Sequence, residues 1–215
     1  RRQRQMCIRD SDNLEGPNVL RTKGAIHYLT LEEINNSKDY LLNKLERDKD
    51  VITLILGGPN KYYNYSDENM ISIFSRINRM LKEHNLQLVV IPSNRTPKKT
   101  IELSKEYFTD NRTVIDVVDK SAYLSSLALS KYLVVTCDST SMISEAAVTG
   151  KPVYIAMMKP KKRNVRFKKF YSQLSNLGIT KELNNVVENW SYESLNEVSR
   201  IAPLIKSRMK QNGII

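Results

Sequence analysis

The chain has 215 residues, 40% of them hydrophobic and 27% charged, with 34 Lys and Arg against 23 Asp and Glu for a net charge of +11. That length suits one large domain or one and a half small ones. The apolar share excludes a disordered polymer, and seven Gly with seven Pro exclude a collagen-like or low-complexity chain.

The opening RRQRQMCIRDS has no apolar periodicity and resembles a translated sequencing adapter, so residues 1–11 are expected to be non-native and are left out of fold reasoning. They hold four Arg and one Asp, so the rest of the chain carries 30 basic against 22 acidic residues, a net +8. Cys7 falls in the same segment. Cys137 alone gives neither a disulfide framework nor a zinc cluster and points to a reducing cytoplasm. Asp10-Ser11-Asp12 has the form of a metal-binding DxD but straddles the suspect junction, so no metal and no cofactor are expected. Residues 12–50 read as the remnant of an N-terminal domain and a linker. NVLRTKGAIHYLT has room for two short strands and LEEINNSKDYLLNKLER for a helix.

From residue 51 apolar runs alternate with amphipathic ones. VITLILGG (51–58) and LQLVVIPS (86–93) read as strands, and their apolar runs are far shorter than the roughly 18 residues of a membrane span. Residues 67–85 read as a helix with Ile71, Phe74, Ile77 and Leu81 apolar. Residues 96–108 read as a helix with Thr96 as N-cap and Pro97 at the first helical position. TVIDVV (113–118) is a strand, 119–130 a helix, YLVVTCDS (132–139) a strand, 140–150 a short helix closed by Gly150, and KPVYIAMM (151–158) a strand. Helices over 166–178 and 191–210 close the chain, with a break or kink expected at Pro203. Five hydrophobic strands separated by helices predict an α/β, doubly wound, Rossmann-like parallel sheet over 51–215, covered on both faces.

In such sheets ligands bind outside the carboxyl ends of the strands, near the switch point. The residues that follow the strands there are polar and rich in donors: Gly57, Gly58, Asn60 and Lys61; Ser93, Arg95 and Thr96; Asp138, Ser139, Ser141 and Met142. The glycine pair can let the backbone pass close to a phosphate, turning with positive φ and offering N–H groups; it also suits a plain strand-to-loop turn. No GxGxxG or GxxxxGK[ST] fingerprint is present. Asp138 or Ser139 can cap the helix that follows. Ser141 and Glu145, four apart, share a helix face and can bind a sugar or ribose diol; capping with a solvated Glu is the plainer alternative. Arg95 offers a planar fork suited to phosphate or stands as a surface Arg. Lys159 to Lys169 holds seven basic residues and no acidic one. It is a solvated loop or a peripheral contact with an acidic membrane; with no stacking aromatics interleaved beyond Phe167 and Phe170, nucleic acid is not expected. Tyr62, Tyr63 and Tyr65 can stack on a base or sugar or pack the loop. His27 and His84 are isolated and read as structural.

The strings LGGPNKYYNYS, PSNRTP and VVTCDSTSMISEAAVTGKPVY, with EGPNVLRTKGAIHYLT before them, resemble the mitochondrial-fission (elongated-mitochondria) family of bacteria and plants. The resemblance runs from about residue 12 to the end and implies the C-terminal domain of a glycosyltransferase-B-like architecture of two Rossmann-like domains, the N-terminal one missing here. It further implies a nucleoside-diphosphate sugar as ligand, with Gly57 and Gly58 facing phosphate and Ser141 and Glu145 facing ribose. The expected activity is of glycosyltransferase or epimerase type. The alternative is a non-catalytic protein that recruits a partner, as plant members are associated with recruiting a dynamin-related protein. The sequence departs from the family at Asn94, where members commonly carry a second Arg, and at Ser121-Ala122, where Asn-Pro is common. No catalytic base is assigned.

Overall fold

The computed structural model describes residues 6–9, 15–16 and 19–214. Asp10-Ser11-Asp12 therefore lies outside the described residues. Met6–Arg9, in the segment expected to be non-native, form a short strand, β1, paired in parallel with β2 (Val19–Thr22). Two short helices follow where one was expected: α1 (Leu31–Asn36), capped by Thr30, and α2 (Asp39–Leu42).

The domain proper is a six-stranded, all-parallel sheet in the order β5-β4-β3-β6-β7-β8. Its strands are β3 (Asp50–Leu56), β4 (Leu86–Pro92), β5 (Arg112–Val114), β6 (Ser130–Thr136), β7 (Val153–Ala156) and β8 (Thr180–Glu182). The chain runs from β3 outward to β5, then returns to start β6 on the other side of β3. That reversal is the switch point of a doubly wound fold, and it lies between β3 and β6.

Both faces of the sheet are covered, and the alternation of side chains shows how. On β4, Leu88 and Val90 join the main core with Met70, Ile73, Phe74, Ile77 and Met80 of α3 (Asp67–Glu83). Val89 and Ile91 point the other way, to Leu41 of α2 and Ala122 of α5 (Lys120–Leu129). The buried stripe of α3 is rotated from the expected one: Ile71 is 42% exposed, and Met70, Ile73 and Met80 take the inner positions.

Four further elements complete the layers: α4 (Lys98–Tyr107), α6 (Thr140–Ala147), α7 (Val165–Asn176) and α8 (Glu197–Gln211). β8 is a strand that apolar runs do not reveal, because Thr180, Lys181 and Glu182 pair as a sheet edge. α8 begins at Glu197, after its Asn196 cap, six residues later than expected. It continues through Pro203, which lies on an exposed face where water can serve the carbonyl that loses its partner. Its Glu197, 3% exposed, accepts the Lys23 amide, and Arg200 reaches the Arg21 carbonyl; these contacts tie α8 to the segment after β2. No described helix is long and apolar enough to cross a membrane.

Candidate functional site at the carboxyl edge of the sheet

Register brings the strand ends level. Leu56 pairs with Pro92, Ile55 with Val135, and Thr136 with Ala156, so the turns after β3, β4, β6 and β7 all leave the same edge. Residues 57–61, 93–96, 138–142 and 157–164 therefore meet there, as the strand pattern predicts.

Asp138 organises the meeting. Its side chain is fully buried. Oδ2 accepts the Gly58 amide at 2.9 Å and Arg95 Nη2 at 2.9 Å, while Oδ1 accepts the Tyr65 hydroxyl at 2.5 Å. Asn60 Nδ2 donates to the Asp138 carbonyl at 3.2 Å, and Thr136 Oγ1 accepts the Gly57 amide at 2.8 Å. On the other side, the Ser93 and Thr96 hydroxyls both donate to the Gly57 carbonyl, at 3.0 and 2.6 Å, and Thr96 also reaches the Leu56 carbonyl. The hydroxyl that reads as a helix cap is thus spent on the neighbouring strand end, and Pro97 precedes α4 without a side-chain cap.

The glycine pair is explained by these contacts. Neither residue is among the positive-φ glycines. A Cβ on Gly57 would stand 2.1 Å from Asp138 Oδ2, and one on Gly58 would stand 2.1 Å from the Arg95 carbonyl oxygen. The close approach that demands glycine is made by the protein's own loops, and both amides are consumed within them.

Arg95 is the cation paired with Asp138 at the edge. Nη2 is paired with buried Asp138 and Nη1 donates to the Gly58 carbonyl at 3.0 Å, yet the side chain remains 44% exposed. Two of its five N–H donors are held inward, and the fork is fixed with the rest at the surface. Beside it α6 starts, with Ser139 as the N-cap in place of Asp138; Oγ accepts the Met142 amide at 3.4 Å. The first-turn amides of α6 and its partial positive charge face the same edge.

Ser141 is exposed and Met142 half-buried on α6. Glu145, a turn further along, stands outside the Asp138 network; its Oε2 accepts the Tyr123 hydroxyl at 2.7 Å. Burial, and then the Glu145 charge, hold the Tyr123 hydroxyl well above its ordinary pKa, and burial with the Asp138 charge does the same for Tyr65. Both phenols stay protonated donors. Lys61 is exposed, its ammonium 4.9 Å from the Tyr62 ring centroid.

Thr136, Tyr65 and Tyr123 are the members of the site that sequence reasoning passes over or leaves as loop packing. Tyr65 was legible only as one of three clustered tyrosines. The basic run divides: Lys161 Nζ donates to the Asn60 carbonyl at 3.1 Å and Lys162 stands over the Tyr62 ring. Arg163, Lys168 and Lys169, with Lys23, line an open groove of about 610 Å³.

Comparison with known proteins agrees with this architecture. The chain is 32% identical over 172 residues to the uncharacterized protein RP120 of Rickettsia prowazekii (strain Madrid E), covering 76% of this chain and 48% of that one. It is 24% identical over 201 residues to the mitochondrial fission protein ELM1 of Arabidopsis thaliana, covering 91% and 46%. The chain thus spans about half the length of the curated relatives it matches. Among solved structures, the S. aureus MnaA–UDP complex superposes with a TM-score of 0.52 at 14% identity, over 95% of this chain and 56% of that one; the likeness is one of fold. The model of the family described as mitochondrial fission ELM1 matches residues 6–209. With nearly the whole length matched, and the carboxyl edge built from the strings that carry the likeness, the chain belongs to the mitochondrial fission ELM1 family.

Proposed function

We propose that the carboxyl edge binds a nucleoside-diphosphate sugar, and that the protein acts on it as a glycosyltransferase or epimerase does. The observation that carries this reading is the Arg95 fork, locked over a buried carboxylate at the switch point and set beside the first turn of α6. A diphosphate would take the exposed N–H groups of Arg95 and the α6 amides. Ser141 and Glu145 would receive the ribose hydroxyls, with Glu145 oriented by Tyr123. In transfer or elimination chemistry the same cationic groups would stabilise a departing diphosphate. The MnaA neighbour was solved with UDP, which supports a uridine nucleotide as the first ligand to test.

Calorimetry with UDP-, ADP- and GDP-sugars tests it. Binding of one of them is expected. Arg95→Met and Glu145→Gln should each weaken it about tenfold, the value of one charge-assisted hydrogen bond. Absence of heat with every nucleotide sugar would overturn the reading.

A second reading, a scaffold that recruits a protein partner without turnover, is favoured by one observation. The Gly57 and Gly58 amides are already bound by Thr136 and Asp138 and cannot serve a phosphate. In that case Glu145→Gln would leave partner capture unchanged.

A further inference from the structure

The inner face of α7 is apolar: Phe170, Tyr171 and Leu174 are buried in the main core, and Phe167 packs against it. On the opposite face Val165, Lys168, Lys169, Ser172 and Asn176 fall at the spacing of a single helical stripe, and all five are exposed. Arg163 stands just before this stripe and Leu177 just after it. With Lys23, from the segment after β2, they border the open groove of about 610 Å³.

The charge of this face is left standing. Lys23, Arg163, Lys168 and Lys169 are exposed, and among the described residues none of their head groups makes an ion pair or hydrogen bond. Elsewhere lysines find partners: Lys99, Lys120, Lys131 and Lys181 each meet a carboxylate at 2.7 Å or less. The sequence offers no acid between Glu145 and Glu182, so α7 and both its flanks carry basic residues as their only charges. The same face keeps two large apolar side chains in water, Val165 at 48% exposure and Leu177 at 41%. They lie at the two ends of the stripe, about 18 Å apart along the helix axis.

We propose that the outer face of α7 docks on acidic phospholipid bilayers, with Lys23, Arg163, Lys168 and Lys169 at the headgroups and Val165 and Leu177 entering between them. A flat anionic layer over an apolar one complements a helix face of this kind along its whole length. A nucleic-acid strand would call for rings to stack on, and the aromatics of α7 are turned to the core. An acidic polypeptide would pair the cations and leave Val165 and Leu177 in water. With two apolar side chains entering, the attachment is peripheral, reversible and weakened by salt. The inference is independent of what the carboxyl edge binds.

The test is co-sedimentation of the chain with vesicles of phosphatidylcholine alone and of phosphatidylcholine mixed with phosphatidylglycerol. Binding is expected only to the mixed vesicles, and it should fall as salt is added. Lys168→Gln with Lys169→Gln should lower the partition coefficient about thirtyfold, since each cation at an acidic surface contributes about fivefold. Lys82→Gln with Lys206→Gln, an equal loss of charge at exposed positions of α3 and α8, should change it by less than about threefold. Val165→Trp should add a blue-shifted emission with acidic vesicles, beyond any change in the chain's own Trp190. No sedimentation with acidic vesicles, equal losses from the two charge pairs, or an unshifted emission would overturn the proposal. So would binding to polyglutamate or single-stranded DNA without binding to the vesicles.

Discussion

Gly57 has no room for a side chain because of Asp138: an added methyl would stand 2.1 Å from the same carboxylate oxygen that accepts the Gly58 amide. The acid and the glycine pair, 80 residues apart, form one joint between the ends of β3 and β6.

Replacing either glycine should therefore be costly. Gly57→Ala and Gly58→Ala are each expected to destabilise by about 3 kcal/mol, the upper end for overpacking a closed site. Gly58→Ala should be the worse, because it meets backbone that cannot rotate away. Gly178→Ala is the control: its φ is +68° but nothing lies within 4 Å, so only the left-handed backbone cost of about 1 kcal/mol is expected. Urea-unfolding midpoints of the three variants decide the order.

Asp138→Ala should cost about 3 kcal/mol, since it strips the Gly58 amide, the Tyr65 hydroxyl and one edge of Arg95 of a buried partner at once. Tyr65→Phe removes one of these donors and should cost about 1 kcal/mol. Chemical denaturation of both variants gives the comparison.

Lys151 gives a pH dependence. Its ammonium reaches the Leu127 and Ala128 carbonyls at the end of α5, at 2.8 and 2.6 Å, and burial lowers its pKa from 10.5 to about 8. Between those two values the unfolded chain holds a proton that the folded chain has released, so stability should rise with pH from about 8 to 10.5. Lys151→Met should flatten that rise in melting curves taken across the interval.

Cys137 is buried, and burial raises its thiol to about 12. The Cys137 peptide should therefore resist alkylation at pH 8 in the native protein and label fully in denaturant. Peptide mapping by mass spectrometry reads this out; rapid native labelling would mean that the edge opens.

The long central strands were legible because β3, β4 and β6 are continuous apolar runs that only a sheet covered on both faces can bury. Their parallel pairing then put the Gly57, Arg95 and Asp138 turns on one edge. What was illegible depends on contacts distant in sequence. Thr96 looks like a cap, but its hydroxyl donates to the β3 carbonyls and accepts the Ser93 amide, so it caps its own turn and not α4. The glycine pair looks made for a ligand, and only the fold shows which oxygen crowds it. Tyr123 and Glu145 are 22 residues apart with nothing in either local pattern to link them. Asn164 is an ordinary residue in a basic loop until α7 forms and its side-chain oxygen caps that helix at the Phe167 amide.

The interlocked turns also bear on the cost of recognition. With Arg95 already oriented by Asp138 and the β3 turn already cinched by Ser93 and Thr96, a guest arriving at this edge would not have to freeze wandering loops. The loop-ordering share of the association cost would be small, leaving the guest's own loss of translational and rotational freedom as the main charge against its contacts.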